Sequence, residues 1–102
     1  MTQYNKLVRD KIPKLIEEQG ETPIIRILDD AQFTRCLELK LDEEVGEYHR
    51  DKTPEELADI LEVVFALANA KGYSRDDLID VYQRKHDARG GFEKRIFLIG
   101  KE

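Results

Sequence analysis

The chain has 102 residues, 40% of them hydrophobic and 38% charged, with a formal net charge of −5 and a single cysteine. That length suits one domain and is too short for two cores of ordinary size, and the apolar fraction excludes a disordered or collagen-like chain. The longest apolar run, residues 63–68, falls far short of the roughly 20 residues a membrane-spanning helix needs. The opening MTQYNKLVRDK lacks a signal peptide's apolar stretch, so the sequence predicts a soluble, cytoplasmic protein with no membrane partner. Cys36 has no second thiol for a disulfide or a zinc pair and is expected at the core or its boundary.

Net charge argues against a nucleic-acid polymer as the main partner, but its distribution says more. Residues 38–62 hold ten acids against Lys40, Arg50 and Lys52, whereas residues 1–14 and 84–95 are each locally +3. An acidic centre lies between two basic ends.

In chain order, Asp10 is the expected cap of a first helix with Pro13 in its opening turn, and Gly20 its expected stop. Residues 24–28, Ile-Ile-Arg-Ile-Leu between Pro23 and the Asp29-Asp30 pair, read as a short strand. A long helix follows over residues 31–50, capped by Asp29 or Asp30. Thr53-Pro54-Glu55-Glu56 opens the next, with Thr53 as cap, Pro54 in the first helical position and Glu56 completing a capping box, and it runs to Gly72. Ser74 caps a last helix that ends at Gly90-Gly91. Residues 92–99 are strand-like again, so the fold expected is all-α with a short β-ribbon from residues 24–28 and 95–99.

On the 31–50 helix, at about 100° per residue, Phe33, Leu37, Leu41 and Tyr48 form one apolar stripe, and Glu44 falls in its middle. Glu47 and Lys40 flank the stripe, and Glu43 lies farther round. Residues 57–70 contain only three polar side chains, Asp59, Glu62 and Asn69, so that helix is expected to be buried on most sides. Carboxylates in such places cost several kcal/mol unless paired with bases or bound to cations. Neither Glu44 nor Asp59 has a local basic partner at the favourable helical spacing. Glu44 with Glu47, and Glu56 with Asp59, are three apart, so two antiparallel helices could aim four carboxylates at one point. Hard oxygen ligands of this kind suit Mg²⁺ or Mn²⁺. Glu56 could equally be only a cap partner, and Glu55 is expected to be no more than a first-turn acid.

The segments Glu44-Val-Gly-Glu47 and Glu56-Leu-Ala-Asp59 resemble the ExxE and ExxD pair of the all-α nucleoside triphosphate pyrophosphatases, which include MazG-like enzymes and phosphoribosyl-ATP pyrophosphohydrolase. Tyr4-Asn-Lys-Leu-Val-Arg-Asp-Lys-Ile-Pro13 and Arg89-Gly-Gly-Phe-Glu-Lys-Arg95 resemble the short single-domain branch, and the likeness spans nearly the whole chain. The resemblance implies a helical bundle usually built by at least two subunits, and the nearly all-round apolar surface of residues 57–70, which one chain would struggle to cover, favours a dimer. The resemblance also implies Mg²⁺ held by Glu44, Glu47, Glu56 and Asp59 beside a nucleotide cleaved between its α and β phosphates. Only eight residues separate Glu47 from Glu56, a shorter gap than is usual in that family, which leaves base specificity and the role of Glu56 open.

Phosphoanhydride hydrolysis needs cations on the phosphates, and the basic ends supply Lys6, Arg9, Lys11, Lys85, Arg89, Lys94 and Arg95 as candidates. Glu44 and Glu47 are the candidate catalytic pair, with Lys40, Glu43 and Glu62 as supports. His49 and His86 are expected at the surface, and Tyr73, Tyr82 and Phe92 in the core. Two alternatives stand beside an enzyme: a module that binds nucleotide and metal for regulation, and a structural helical assembly protein.

Overall fold

Four helices form where the end signals stand, and no strand forms at all. The computed structural model describes residues 1–102, with α1 Ile12–Glu18, α2 Asp30–Asp51, α3 Pro54–Ala70 and α4 Arg75–Arg89. Asp29 caps α2 by accepting from the Gln32 backbone N–H at 2.8 Å, and the Gln32 side chain reaches back to the Asp29 N–H. Ser74 and Asp77 make the same reciprocal box at the start of α4. Gly20 and Gly72 stop α1 and α3 as left-handed residues, φ 86° and 91°. In each case the N–H groups of the glycine and the residue after it return to carbonyls of the last turn, Glu17 and Ile16 after α1, Asn69 and Ala68 after α3.

Three expectations are corrected. Asp10 does not cap α1: Lys11 already has helical φ and ψ and the helix is entered through a turn closed by Ile12 N–H on the Arg9 carbonyl, so no acceptor is needed there. The ribbon is absent. Residues 24–28 and 96–99 lie outside any helix or turn, Arg95 is left-handed at φ 57° and closes a turn on the Phe92 carbonyl, and no backbone hydrogen bond joins the two segments. Tyr73, Tyr82 and Phe92 are exposed rather than in a core, because α4 meets only α3, and lightly, so most of its surface and that of the turn before it and the residues after it stays uncovered.

Lys52, left-handed at φ 57°, and Thr53 are the whole connection between α2 and α3, so the two helices fold back as an antiparallel hairpin. Glu38 Oε1 near the start of α2 meets Lys71 Nζ past the end of α3 at 3.8 Å, as that arrangement requires. Leu37, Val63 and Ala68 are the buried apolar residues, all on this hairpin. α4 packs lightly on α3, helped by the Arg75 guanidinium 4.5 Å from the Phe65 ring centroid. α3 is not covered on most sides in one chain: Leu57 and Leu61 are each about half exposed. The radius of gyration is 18.0 Å, against about 13 Å for a compact domain of this length. No helix is long and apolar enough to cross a membrane.

Candidate metal centre

A two-residue turn brings the last two turns of α2 beside the first two turns of α3. The acids that face one another there are those the helical spacing singled out: one carboxylate oxygen from each of Glu44, Glu47, Glu56 and Asp59 lies within 4.8 Å of the others. Glu44 is only 7% exposed, the sole buried charged residue, and its place in the apolar stripe is as the periodicity predicts. The capping alternative for Glu56 is settled by geometry. Thr53 Oγ1 accepts from the Glu56 backbone N–H at 3.4 Å, but the Glu56 side chain does not return to Thr53 and turns to the acidic cluster instead.

Two cations neutralise part of this charge. Lys40 Nζ, largely covered, stands 3.5 Å from Glu44 Oε1 and 3.5 Å from Glu43 Oε2. It approaches Glu44 from one turn before, the weaker order for a helical pair, so burial rather than spacing makes this contact matter. The Arg9 guanidinium, arriving from the N-terminal segment, donates to Asp59 Oδ1 at 2.8 Å. Both of its side chains are about half exposed, which limits that pair to less than about 1 kcal/mol. Glu47 and Glu56 have no basic partner. Glu44 Oε2 and Glu56 Oε2 are buried without any hydrogen-bond partner, a state that native structures rarely leave unsatisfied.

Electrostatics follow from this crowding. Burial, then the neighbouring Glu47 carboxyl and its charge, lift the Glu44 carboxyl above its ordinary value of 4.5, with Lys40 opposing and Asp59 adding to the rise. Desolvation and the Asp51 side chain do the same for Glu56, reinforced by the charges of Glu47, Asp51 and Asp59. Asp51 was not singled out from the sequence. Its signal was available, since a residue at the end of α2 must lie beside the first turn of α3 when only two residues join them.

A pocket of about 250 Å³ opens on the cluster, lined by Lys6, Val8, Arg9, Ile12, Lys40, Glu44 and Asp59. Of the basic candidates, the structure therefore brings Lys6, Arg9 and Lys40 to the carboxylates. Lys11 lies just outside, exposed at the start of α1. Arg89 and Lys94 line a separate pocket of about 410 Å³ with His86, Gly90, Gly91, Glu93 and Ile96, and Lys85 and Arg95 line neither. Glu43 touches the centre only through Lys40, and Glu62 is exposed and outside the cluster. His49 and His86 are exposed, and Cys36 is half-buried on α2, as expected.

The donor set suits a hard divalent cation. Carboxylate oxygens from two helices converge, Glu44 and Glu56 each keep one buried oxygen without a partner, and no His or Cys is present. No family model matches the chain, and no solved structure matches it. The chain is similar to a protein of Mycolicibacterium smegmatis described as uncharacterized, at 55% identity over 42 residues, or 41% of this chain and 43% of that protein. The match thus spans less than half the length of that relative.

Proposed function

We propose that the chain is a Mg²⁺-dependent nucleotide pyrophosphohydrolase. Its substrate is a nucleoside triphosphate or a related nucleotide such as phosphoribosyl-ATP, cut between the α and β phosphates to a monophosphate and pyrophosphate. One observation carries the reading: four converging carboxylates with two unpartnered buried oxygens adjoin a pocket walled by Lys6, Arg9 and Lys40. An acidic cluster alone would hold a cation. Bases lining the same pocket add the means to hold an anion against it.

Glu44, Glu47, Glu56 and Asp59 would hold Mg²⁺, with Mn²⁺ as a substitute. When bound, such a cation neutralises phosphate charge and acidifies a water. The remaining work falls to the chain's own groups. Lys6 and Lys40 donate to phosphate oxygens from the pocket wall, and Arg9, whose planar fork has N–H groups beyond the one given to Asp59, donates beside them. Glu44 and Glu47, the candidate catalytic pair, would take up the proton that hydrolysis releases through a carboxylate oxygen not engaged by the cation. Hydrolysis of this kind fits the resemblance of Glu44-Val-Gly-Glu47 and Glu56-Leu-Ala-Asp59 to the MazG-like signature. A homodimer is the working unit, since Leu57 and Leu61 leave half of their surface uncovered on the helix that carries two of the ligands.

A pyrophosphate-release screen over common and modified nucleotides, with Mg²⁺ or Mn²⁺ and a chelator control, tests the proposal. The expected result is metal-dependent release of pyrophosphate and a monophosphate from at least one nucleotide. Binding without release on every nucleotide would leave a regulatory module, and neither binding nor release would leave a structural protein.

A further inference from the structure

Two apolar segments of this chain have nothing to lie on. Residues 24–28 expose Ile24, Ile25 and Ile27 at 78%, 62% and 89%, and residues 96–99 expose Ile96, Phe97, Leu98 and Ile99 at 78% or more. Both lie outside any helix or turn, both are rich in β-branched or aromatic residues, and neither gives its backbone N–H or C=O groups to any partner. Residues 96–99 are apolar on both faces, the pattern of a strand covered on two sides, and residues 24–28 are apolar apart from Arg26.

The surface area says how much cover is missing. The chain exposes 9442 Å², whereas a self-contained monomer of 11.9 kDa exposes about 5,900 Å². The excess, about 3,500 Å² on one chain, is several times one side of a standard-size protein interface, about 800 Å². Charge then selects how the two segments fit. Aligned antiparallel with Ile27 opposite Phe97, Leu28 faces Ile96, and the Asp29-Asp30 pair that follows one segment lies at the same end as the Lys94-Arg95 pair that precedes the other. Aligned parallel in the same register, the two acids run out against Ile99 and Gly100, with no such match.

We propose that residues 96–99 pair antiparallel with residues 24–28 of a second copy of this chain, so that two reciprocal ribbons form inside the interface between copies. The partner is identified by self-complementarity: one chain carries both apolar strands and both charge clusters, yet leaves them unjoined. A two-fold arrangement satisfies both ribbons at once, since each copy gives one strand and receives one. The pairing holds whether or not the chain hydrolyses nucleotides.

Cross-linking between co-expressed, differently tagged chains tests it. In a Cys36→Ala background, Ile27→Cys in one chain and Phe97→Cys in the other place single thiols opposite each other, and Asp76→Cys in place of Phe97→Cys serves as control. A short thiol-to-thiol linker is expected to join the two tags for the first pair and not for the control. Removal of residues 92–102 should reduce the mass in light scattering from dimer to monomer while circular dichroism stays helical. Cross-linking no greater than the control overturns the proposal. So does a chain carrying both cysteines that closes on itself equally well at high dilution, or a shortened chain that remains a dimer.

Discussion

The α2–α3 hairpin and the region beyond it, α4 with residues 90–102, treat charge in opposite ways. Every buried residue of the chain lies on the hairpin, Glu44 among them, while α4 and the tail bury none. The bases of the C-terminal region sit in solvent, where an unpaired charge costs little. An acid in the best-packed part of the molecule is costly, and it is accompanied by three more. Charge on the hairpin therefore signals a function, whereas charge at the C-terminal end needs no more explanation than solubility and pairing between copies.

The sharpest way to break that contrast is to uncharge its centre. Glu44→Gln keeps the shape of the side chain but removes the charge a divalent cation requires, so turnover should be abolished with the helical spectrum and oligomer unchanged. Retention of more than about a tenth of kcat/KM, less than about 1.4 kcal/mol of lost transition-state stabilisation, would remove Glu44 from the ligand set.

Metal should next distinguish the hairpin by stability. A cation that binds only the folded cluster raises unfolding free energy by about 2.7 kcal/mol at a hundred times its dissociation constant. Thermal melts in chelator against saturating Mg²⁺ or Mn²⁺ should show the rise, and Glu56→Gln should diminish it. Identical melts would mean that the four carboxylates hold no metal.

Acid titration sharpens the same point. Because the folded state holds the Glu44 and Glu56 protons more tightly than the unfolded chain, their contribution to stability is present below the ordinary value of 4.5 and is lost as pH rises through the elevated folded values. Metal-free stability should fall over that window in urea unfolding, and Mg²⁺, which binds the deprotonated acids, should flatten or reverse the slope. Asp77 acts with the opposite sign. Its hydrogen bonds from the Ser74 backbone and side chain hold its carboxyl below 3.8, so the stability it gives is lost only as pH falls below that value. A Glu44→Gln, Glu56→Gln chain should lose the upper slope and keep the lower one.

Arg9→Gln should raise KM while changing stability by less than about 1 kcal/mol, since its pair with Asp59 is half exposed. Equal loss in kcat with unchanged KM would place Arg9 outside the phosphate wall. The smallest effect belongs to Glu55→Gln. Exposed in the first turn of α3 and outside the cluster, Glu55 contributes a helix-dipole interaction of less than about 1 kcal/mol, and activity should be almost unchanged.

Local chemistry was enough for much of this molecule. Asp29, Thr53-Pro54 and Ser74 start helices, and Gly20 and Gly72 end them, because a cap or a left-handed stop depends on atoms only a few residues away. The 3.6-residue period likewise put Glu44 on the apolar face, and spacing by three put Glu47 and Asp59 beside Glu44 and Glu56. Tertiary structure decided what spacing could not: that the Glu56 side chain joins the cluster instead of its cap, that Asp51 stands next to it, and that Arg9 crosses fifty residues of sequence to reach Asp59. It also decided which bases face the acids, selecting Lys6, Arg9 and Lys40 over those near the C-terminus. Residues 24–28 and 95–99 show the limit of local reading, since their composition favours a strand but a strand exists only where another backbone offers its hydrogen bonds.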